Sequence, residues 1–296
     1  MNDRIKAHLA LLGANLFYGA GFTVAKTVMP SLIQSNGFIF IRVVSATLLF
    51  WLSFLGGDNY KTTIDKKDYK TFILCAIFGV AANQLLFFKG LSLTSPIHGS
   101  LMMLLTPILV SVLAAFMLRE NFSKLNLIGL VLGVTGATIL VILGGKDKVA
   151  SNPLLGDFFI LLNASSYAIY LVIAKPLMHK YRPIIVIRWV FLLGSIIVFP
   201  FGIQDFLAIE WTQFSTMNLL SVVFIVVCVT FFTYLWNIYA LKILSPATAG
   251  AYIYLQPLFA AIIAIVFLGE QASMIKLLSG ILIFTGVYFV SKKKTA

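Results

Sequence analysis

The 296-residue chain is 60% hydrophobic and 11% charged, with mean hydropathy +0.99 and a net charge of +12. Soluble chains run nearer half apolar and a quarter charged, so this much apolar surface exceeds what one aqueous core can bury. The positive charge is not a nucleic-acid signal either, because the lysines and arginines cluster at the ends of apolar runs, as topology determinants do.

A membrane-spanning helix needs about 20 apolar residues. Ten segments meet that need, at roughly 7–28, 33–55, 71–92, 96–118, 125–143, 154–178, 184–203, 217–240, 246–268 and 274–291. They are continuous rather than alternating runs, which argues against a β-barrel. Their connections are short, and the most polar one, Gly56–Lys70, reads as a loop. The first run is too long for a signal-peptide core and is followed by no small-x-small cleavage site, so a retained helix is expected. The predicted fold is an all-α polytopic membrane protein of ten transmembrane helices.

Polar residues within such helices turn inward, because facing lipid is costly. In the first span Asn15, Tyr18, Phe22 and Lys26 share a face; the second carries Arg42, and the third Asn83, Gln84 and Lys89. Ser95-Pro96 opens the fourth span as an N-cap followed by proline at the first helical position. There His98, Met102 and Thr106 recur at every fourth residue and share one face. Pro107 predicts a kink, since proline removes a backbone bond. Gly129, Gly133 and Gly136 give the fifth span a small face suited to close packing. The sixth span offers Tyr167 and Lys175, with Asn163 and Tyr170 nearby, and the eighth Tyr234 and Asn237. Thr248, Tyr252 and Gln256 share a face in the ninth, which also holds Pro257, and Gly280 and Gly286 lie in the tenth. Cys75 and Cys228 fall inside helices and read as inert buried thiols. His8 and His179 lie near the aqueous ends and read as solvated.

The chain repeats itself. A shift of 150 positions carries Ser95-Pro96 onto Ser245-Pro246, Pro107 onto Pro257, Glu120 onto Glu270 and Gly136 onto Gly286. A shift of 149 carries Tyr18 onto Tyr167 and Ala25-Lys26 onto Ala174-Lys175, and one of 146 carries Ile41-Arg42 onto Ile187-Arg188. The predicted units are 1–145 and 146–296, each with five spans. Five is odd, so the second unit enters the membrane from the opposite side, an inverted repeat typical of secondary transporters. With cytoplasmic termini, loop lysines and arginines concentrate on the cytoplasmic side and leave Lys146, Lys148 and Lys276 on the other. That asymmetry predicts a multi-pass protein of the cell (inner) membrane with both termini inside.

These residues resemble a known family. Phe17-Tyr18-Gly19-Ala20-Gly21-Phe22, Arg42, Pro107, Glu120, Gly129, Gly133, Gly136, Leu268-Gly269-Glu270, Gly280 and Gly286, in this order across the whole chain, are similar to the EamA-type members of the drug/metabolite transporter superfamily. The resemblance implies a ten-helix fold with a cavity between the halves and small metabolite substrates, often exported.

The expected substrate-binding set is Asn15, Tyr18, Asn83, Gln84, Lys89, His98, Thr106, Tyr167, Tyr234, Asn237, Tyr252 and Gln256. Within it, Lys89 is the expected charge partner and His98 the hydrogen-bond partner of an anionic or zwitterionic metabolite. Glu120 and Glu270 read as helix-capping or ion-pairing residues. The ten acidic residues lie in loops or near helix ends, with Asp157 about one turn into its span, so no midplane carboxylate offers a proton or sodium handle. No cluster has metal-ligand spacing, no enzyme signature is present, and no cofactor is expected. The expected partners are the lipid bilayer and a small-molecule substrate, without nucleic acid, for a monomeric secondary transporter. A membrane-embedded enzyme acting on lipid-linked substrates is the alternative.

Overall fold

A computed structural model describes residues 3–53, 64–118, 124–143, 150–241, 243, 252–253 and 255–291. Glu120, Ser245-Pro246 and Thr248 lie outside the described residues, as do the side chains of Pro107, Lys175 and His179. Among the described residues there is no strand. The chain begins with α1 (Asp3–Val28) and α2 (Ser35–Leu52). A composite helix follows, made of α3 (Tyr69–Ala76), a π-helical stretch (Ile77–Ala81) and α4 (Ala82–Leu93). Next come α5 (Pro96–Met103), α6 (Thr106–Leu118), α7 (Lys124–Leu143), α8 (Pro153–Lys180) and α9 (Pro183–Leu207). A second composite joins α10 (Thr216–Val223), a π-helical stretch (Phe224–Phe232) and α11 (Thr233–Leu241), before α12 (Leu255–Leu268) and α13 (Met274–Ser291). Six of these helical runs are long and apolar enough to cross a membrane, and four shorter apolar helices lie at Pro96–Val110, Leu127–Leu140, Leu255–Leu268 and Met274–Gly286.

The helix starts follow from local chemistry. Ser95 Oγ accepts the His98 amide at 3.4 Å, with Pro96 in the first turn of α5. Asn152 caps α8 in the same way, accepting the Leu155 amide at 3.3 Å ahead of Pro153. Each cap satisfies an amide that the helix cannot.

Between α5 and α6 the helix breaks rather than bends. The amides of Leu104 and Leu105 bond three residues back, to Leu101 and Met102, both at 3.1 Å. The helix restarts at Thr106, leaving Pro107 in a first turn, where the missing amide costs nothing. A proline ring clashes with the carbonyl four residues earlier, which is why the break falls just ahead of it. The amide of Gln256 likewise bonds Ile253 at 3.0 Å, and Pro257 sits in the first turn of α12.

Two helix pairs make the most extensive contacts, α7 with α13 and α2 with α9. Glycines set the first: a Cβ on Gly286 meets the Gly129 carbonyl at 2.6 Å, and one on Gly136 meets Leu282 Cβ at 2.9 Å. These glycines pack helices within the chain. Around the two pairs, α4 packs on α8 and α1 on α11, while α6 packs on α8 and α1 on α12. The core is aromatic, with Phe38, Phe50, Phe72 and Phe191 buried. Phe116, Ile142, Leu207, Phe267 and Met274 are exposed around the outside, where lipid is the natural solvent.

The bundle has two distinct ends. At the one carrying the N-terminus, Lys180 pairs with Asp65 and, at 2.7 Å, with Asp68. Both carboxylates bond this exposed ammonium and hold its pKa above the ordinary lysine value. Tyr181 donates to Asp68 at 2.6 Å beside them. His8 is not merely solvated: its Nδ1 lies 2.8 Å from the Tyr252 hydroxyl. The opposite end, called the far end below, gathers Lys26, Thr94, Ser95, Asp157 and Glu270.

Candidate functional site

The centre of the bundle holds a polar cluster contributed by helices from both halves of the sequence. Arg42, seven residues into α2, is buried. Its Nε donates to Thr230 Oγ1 at 2.7 Å, and Nη1 donates to Gln84 Oε1. The guanidinium lies 5.0 Å from the Phe88 ring centroid, on the face that attracts cations. Both acceptors depend on π-helical stretches. Gln84 follows Ile77–Ala81, and Thr230 lies within Phe224–Phe232, donating in turn to the Ile225 carbonyl five residues back at 2.8 Å. Such wide turns swing side chains off the regular α-helical face, and they are frequent at functional sites.

Next to Arg42 lies a cavity of about 40 Å³ lined by Gly79, Val80, Tyr167, Tyr170, Ile187, Val190, Phe191 and Tyr234. Gly79 is what admits the aromatic wall, since a Cβ there would sit 2.5 Å from the Tyr170 ring. The Tyr167 and Tyr170 rings are 5.7 Å apart, and Tyr234 packs edge-on against Phe191 at 5.1 Å. Tyr18, Tyr167, Tyr170 and the Arg42 guanidinium all lie within electrostatic range of the Tyr234 hydroxyl.

A second buried network closes the far end. Asp157, fully buried, accepts from Thr94 Oγ1 at 2.6 Å and lies 2.9 Å from His98 Nδ1. Glu270 accepts from Ser95 Oγ at 2.6 Å and from Lys276 Nζ at 3.2 Å, and its second oxygen lies 3.4 Å from the Ile97 amide. The first turn of α5 is thereby tied to α8 on one side and to the segment between α12 and α13 on the other. A carboxylate at that helix start also complements the helix dipole. Outside this network a wider hollow of about 350 Å³ is lined by Lys26, Met29, Pro30, Ser31, Ser92, Ala150, Ser151 and Leu268.

The predicted site residues divide among these places. Tyr167 and Tyr234 line the central cavity, Gln84 binds Arg42, and Tyr18 lies among the tyrosines. Asn237 Nδ2 reaches the Tyr18 hydroxyl at 3.5 Å. Others bridge helices: Gln256 donates to Asn15 at 2.8 Å, and Asn163 donates to the Asn83 carbonyl at 2.7 Å. Tyr252 faces His8, and Thr106 is buried with no hydrogen-bond partner for its hydroxyl among the described residues.

Two of the expected residues sit away from the central cavity. Lys89 is exposed and lines neither cavity, because the face of α4 that turns inward carries Gln84, Phe88 and Leu91. His98 is committed to Asp157 at the far end instead of reaching into the centre. Sequence reading passed over Arg42 as a site residue and Asp157 as a buried partner. The match of Ile41-Arg42 to Ile187-Arg188 was the signal available for Arg42. Glu270 is ion-paired and meets a helix start, as expected for it.

Known proteins resemble the chain along nearly its whole length. A profile of the EamA-like transporter family matches twice, at residues 5–142 and 154–292. An uncharacterized transporter of Archaeoglobus fulgidus is 24% identical, covering 98% of both chains. The uncharacterized transporter YyaM of Bacillus subtilis is 22% identical over 97% of this chain and 94% of its own. A Streptantibioticus cattleyicolor protein named "probable terminal-alkyne amino-acid exporter" is 24% identical over 77% of this chain and 74% of its own. One crystal structure matches with a TM-score of 0.59 at 17% identity, covering 96% of this chain and 95% of that one, which is a likeness of fold.

Proposed function

The chain belongs to the EamA-like transporter family, and from that premise we propose that it exports a small anionic or zwitterionic metabolite, such as an amino acid, by alternating access. It is a multi-pass membrane protein and a transporter of that family. The finer reading has ten spans in two inverted five-helix units, 1–145 and 146–296, with both termini in the cytoplasm. Several features support it. The family profile matches once per unit. The second span pairs with the seventh and the fifth with the tenth. The third and eighth spans both contain π-helical stretches, and the fourth and ninth both restart just ahead of a proline.

One observation carries the proposal: a tyrosine-lined cavity with a buried arginine beside it, built from side chains of both units. Two half-structures rocking about such a site would open it to one face at a time. The far-end network then acts as the closed gate of one state, with Ser95 and Glu270 from opposite units drawn together. The relative named as an amino-acid exporter supports an amino acid as the cargo.

Counterflow tests this. Purified protein in liposomes loaded with one unlabelled amino acid should take up the same amino acid in labelled form, for at least one member of the common twenty. Uptake no faster than in empty liposomes for every member would overturn the amino-acid reading.

A further inference from the structure

We propose that Arg42 is the anchor for a carboxylate on the transported molecule, with the Tyr18 and Tyr234 hydroxyls beside it; this rests on the transporter reading above and specifies the ligand's head group.

Arginine stays protonated in any protein environment and presents five N–H donors. A buried cation in a membrane protein ordinarily faces an acid or marks a ligand pathway. Lys276 follows the first course, buried and held by Glu270. Arg42 does not. Among the described residues its hydrogen-bond acceptors are one hydroxyl and one amide, both neutral, and the remaining contact is the Phe88 ring. Two donors are used and three remain, with no carboxylate to receive them.

Each acceptor that holds Arg42 lies four residues from a residue lining the cavity, Gln84 from Val80 and Thr230 from Tyr234. Arg42 itself is not among the lining residues; its bond to Thr230 holds the guanidinium behind the wall that carries Tyr234. Tyr18 and Tyr234 both lie within electrostatic range of it. A planar carboxylate entering between the tyrosines would meet the unused edge of the guanidinium, whose forked donors match it in two parallel bonds.

The surroundings narrow the class further. Among the described residues the cavity lining itself holds no cation, so the single charge of Arg42 behind it matches a monoanion and under-compensates a doubly charged phosphate. It contains no carboxylate either, so an ammonium group on the ligand gains only tyrosine hydroxyls and ring faces. The rest of the wall is aromatic and aliphatic. The ligand class is therefore a small organic monocarboxylate, amino acids included, and an apolar or aromatic body requires the wall to open beyond the cavity of about 40 Å³ in this state.

The test uses the full chain in detergent and probes that share one body. Melting temperature is followed with L-phenylalanine, 3-phenylpropionate, L-phenylalaninamide, phenethylamine and phenyl phosphate, and with the remaining common amino acids. Bound ligand raises the melting temperature by mass action. The two phenyl carboxylates should stabilise the wild type in a dose-dependent way, while amide, amine and phosphate should not. Arg42→Gln should weaken carboxylate binding about 10- to 100-fold, the usual worth of a charge-assisted hydrogen bond. Arg42→Lys should recover part of it. Equal stabilisation by the amide, stronger stabilisation by phenyl phosphate, or no stabilisation by any carboxylate overturns the proposal. So does full carboxylate affinity in folded Arg42→Gln. If Arg42→Gln does not fold, the acid-against-amide comparison on the wild type decides alone. Stabilisation by the amine or amide without the acid would remove the anchor while leaving a transporter of another substrate class standing.

Discussion

The His98–Asp157 pair offers the sharpest test of the far-end network. Asp157→Ala deletes the acceptor of two hydrogen bonds, the Thr94 hydroxyl at 2.6 Å and His98 Nδ1 at 2.9 Å. Thr94, His98 and Asp157 are all almost wholly buried, so water cannot replace what is lost. Each buried polar group left unsatisfied costs about 1–3 kcal/mol, which puts the single substitution at about 3–4 kcal/mol. The energy of the pair itself comes from a double-mutant cycle with His98→Ala. Hydrogen bonds between transmembrane helices average about 0.6 kcal/mol in such cycles. A bond to a buried carboxylate should exceed that, at about 1.5 kcal/mol. Equilibrium unfolding in mixed micelles measures all four forms. If the two single substitutions add to within about 0.5 kcal/mol, the residues are not coupled and the network as described is wrong.

Three further outcomes follow from the packing and the charge pattern. Gly286→Val brings a side chain against the Gly129 carbonyl, which a Cβ already meets at 2.6 Å, so it should destabilise the α7–α13 pair by about 1–3 kcal/mol in the same unfolding assay. Gly79→Ala displaces the Tyr170 ring, which its Cβ meets at 2.5 Å, and should lower counterflow more than it lowers melting temperature; equal loss in both would make Gly79 a packing residue only. With Cys75 and Cys228 removed, a cysteine at position 148 should react with an impermeant thiol reagent outside intact cells and one at position 67 should not, and the reverse would place the termini outside.

Much of the fold is legible in the sequence because hydropathy, caps and glycine spacing are local signals. The starts at Ser95-Pro96 and the glycine faces of α7 and α13 need no knowledge of neighbours. The site is less legible for two physical reasons. Its bonds join distant helices, Arg42 to Thr230 and His98 to Asp157, and periodicity gives the face of a helix but not what that face meets. The π-helical stretches also break the α-helical phase. One extra residue per turn rotates everything beyond it by about 100°, so a face drawn with uninterrupted α-helical spacing misplaces side chains further along. Lys89 illustrates both. It is the obvious cation in its span, yet it is exposed and does not line the cavity, and the buried cation near the cavity comes from α2. Helical spacing puts His98 on one face with Met102 and Thr106, but it gives no sign that its partner is Asp157 on α8.

In the transport cycle proposed above, the tyrosine cavity lies on a path open to one side of the membrane at a time. A single cysteine at position 234, in a chain lacking Cys75 and Cys228, tests it without knowledge of the substrate. An impermeant thiol reagent applied to right-side-out vesicles and, separately, to inside-out vesicles should label that cysteine in both, as the protein exchanges between its two states. Adding cysteines in place of Ser95 and Glu270 and oxidising them after the far end has closed should abolish labelling from that end and leave the other intact. Position 234 remaining unlabelled from both sides would contradict the account, and labelling from both sides undiminished by the cross-link would contradict alternating access.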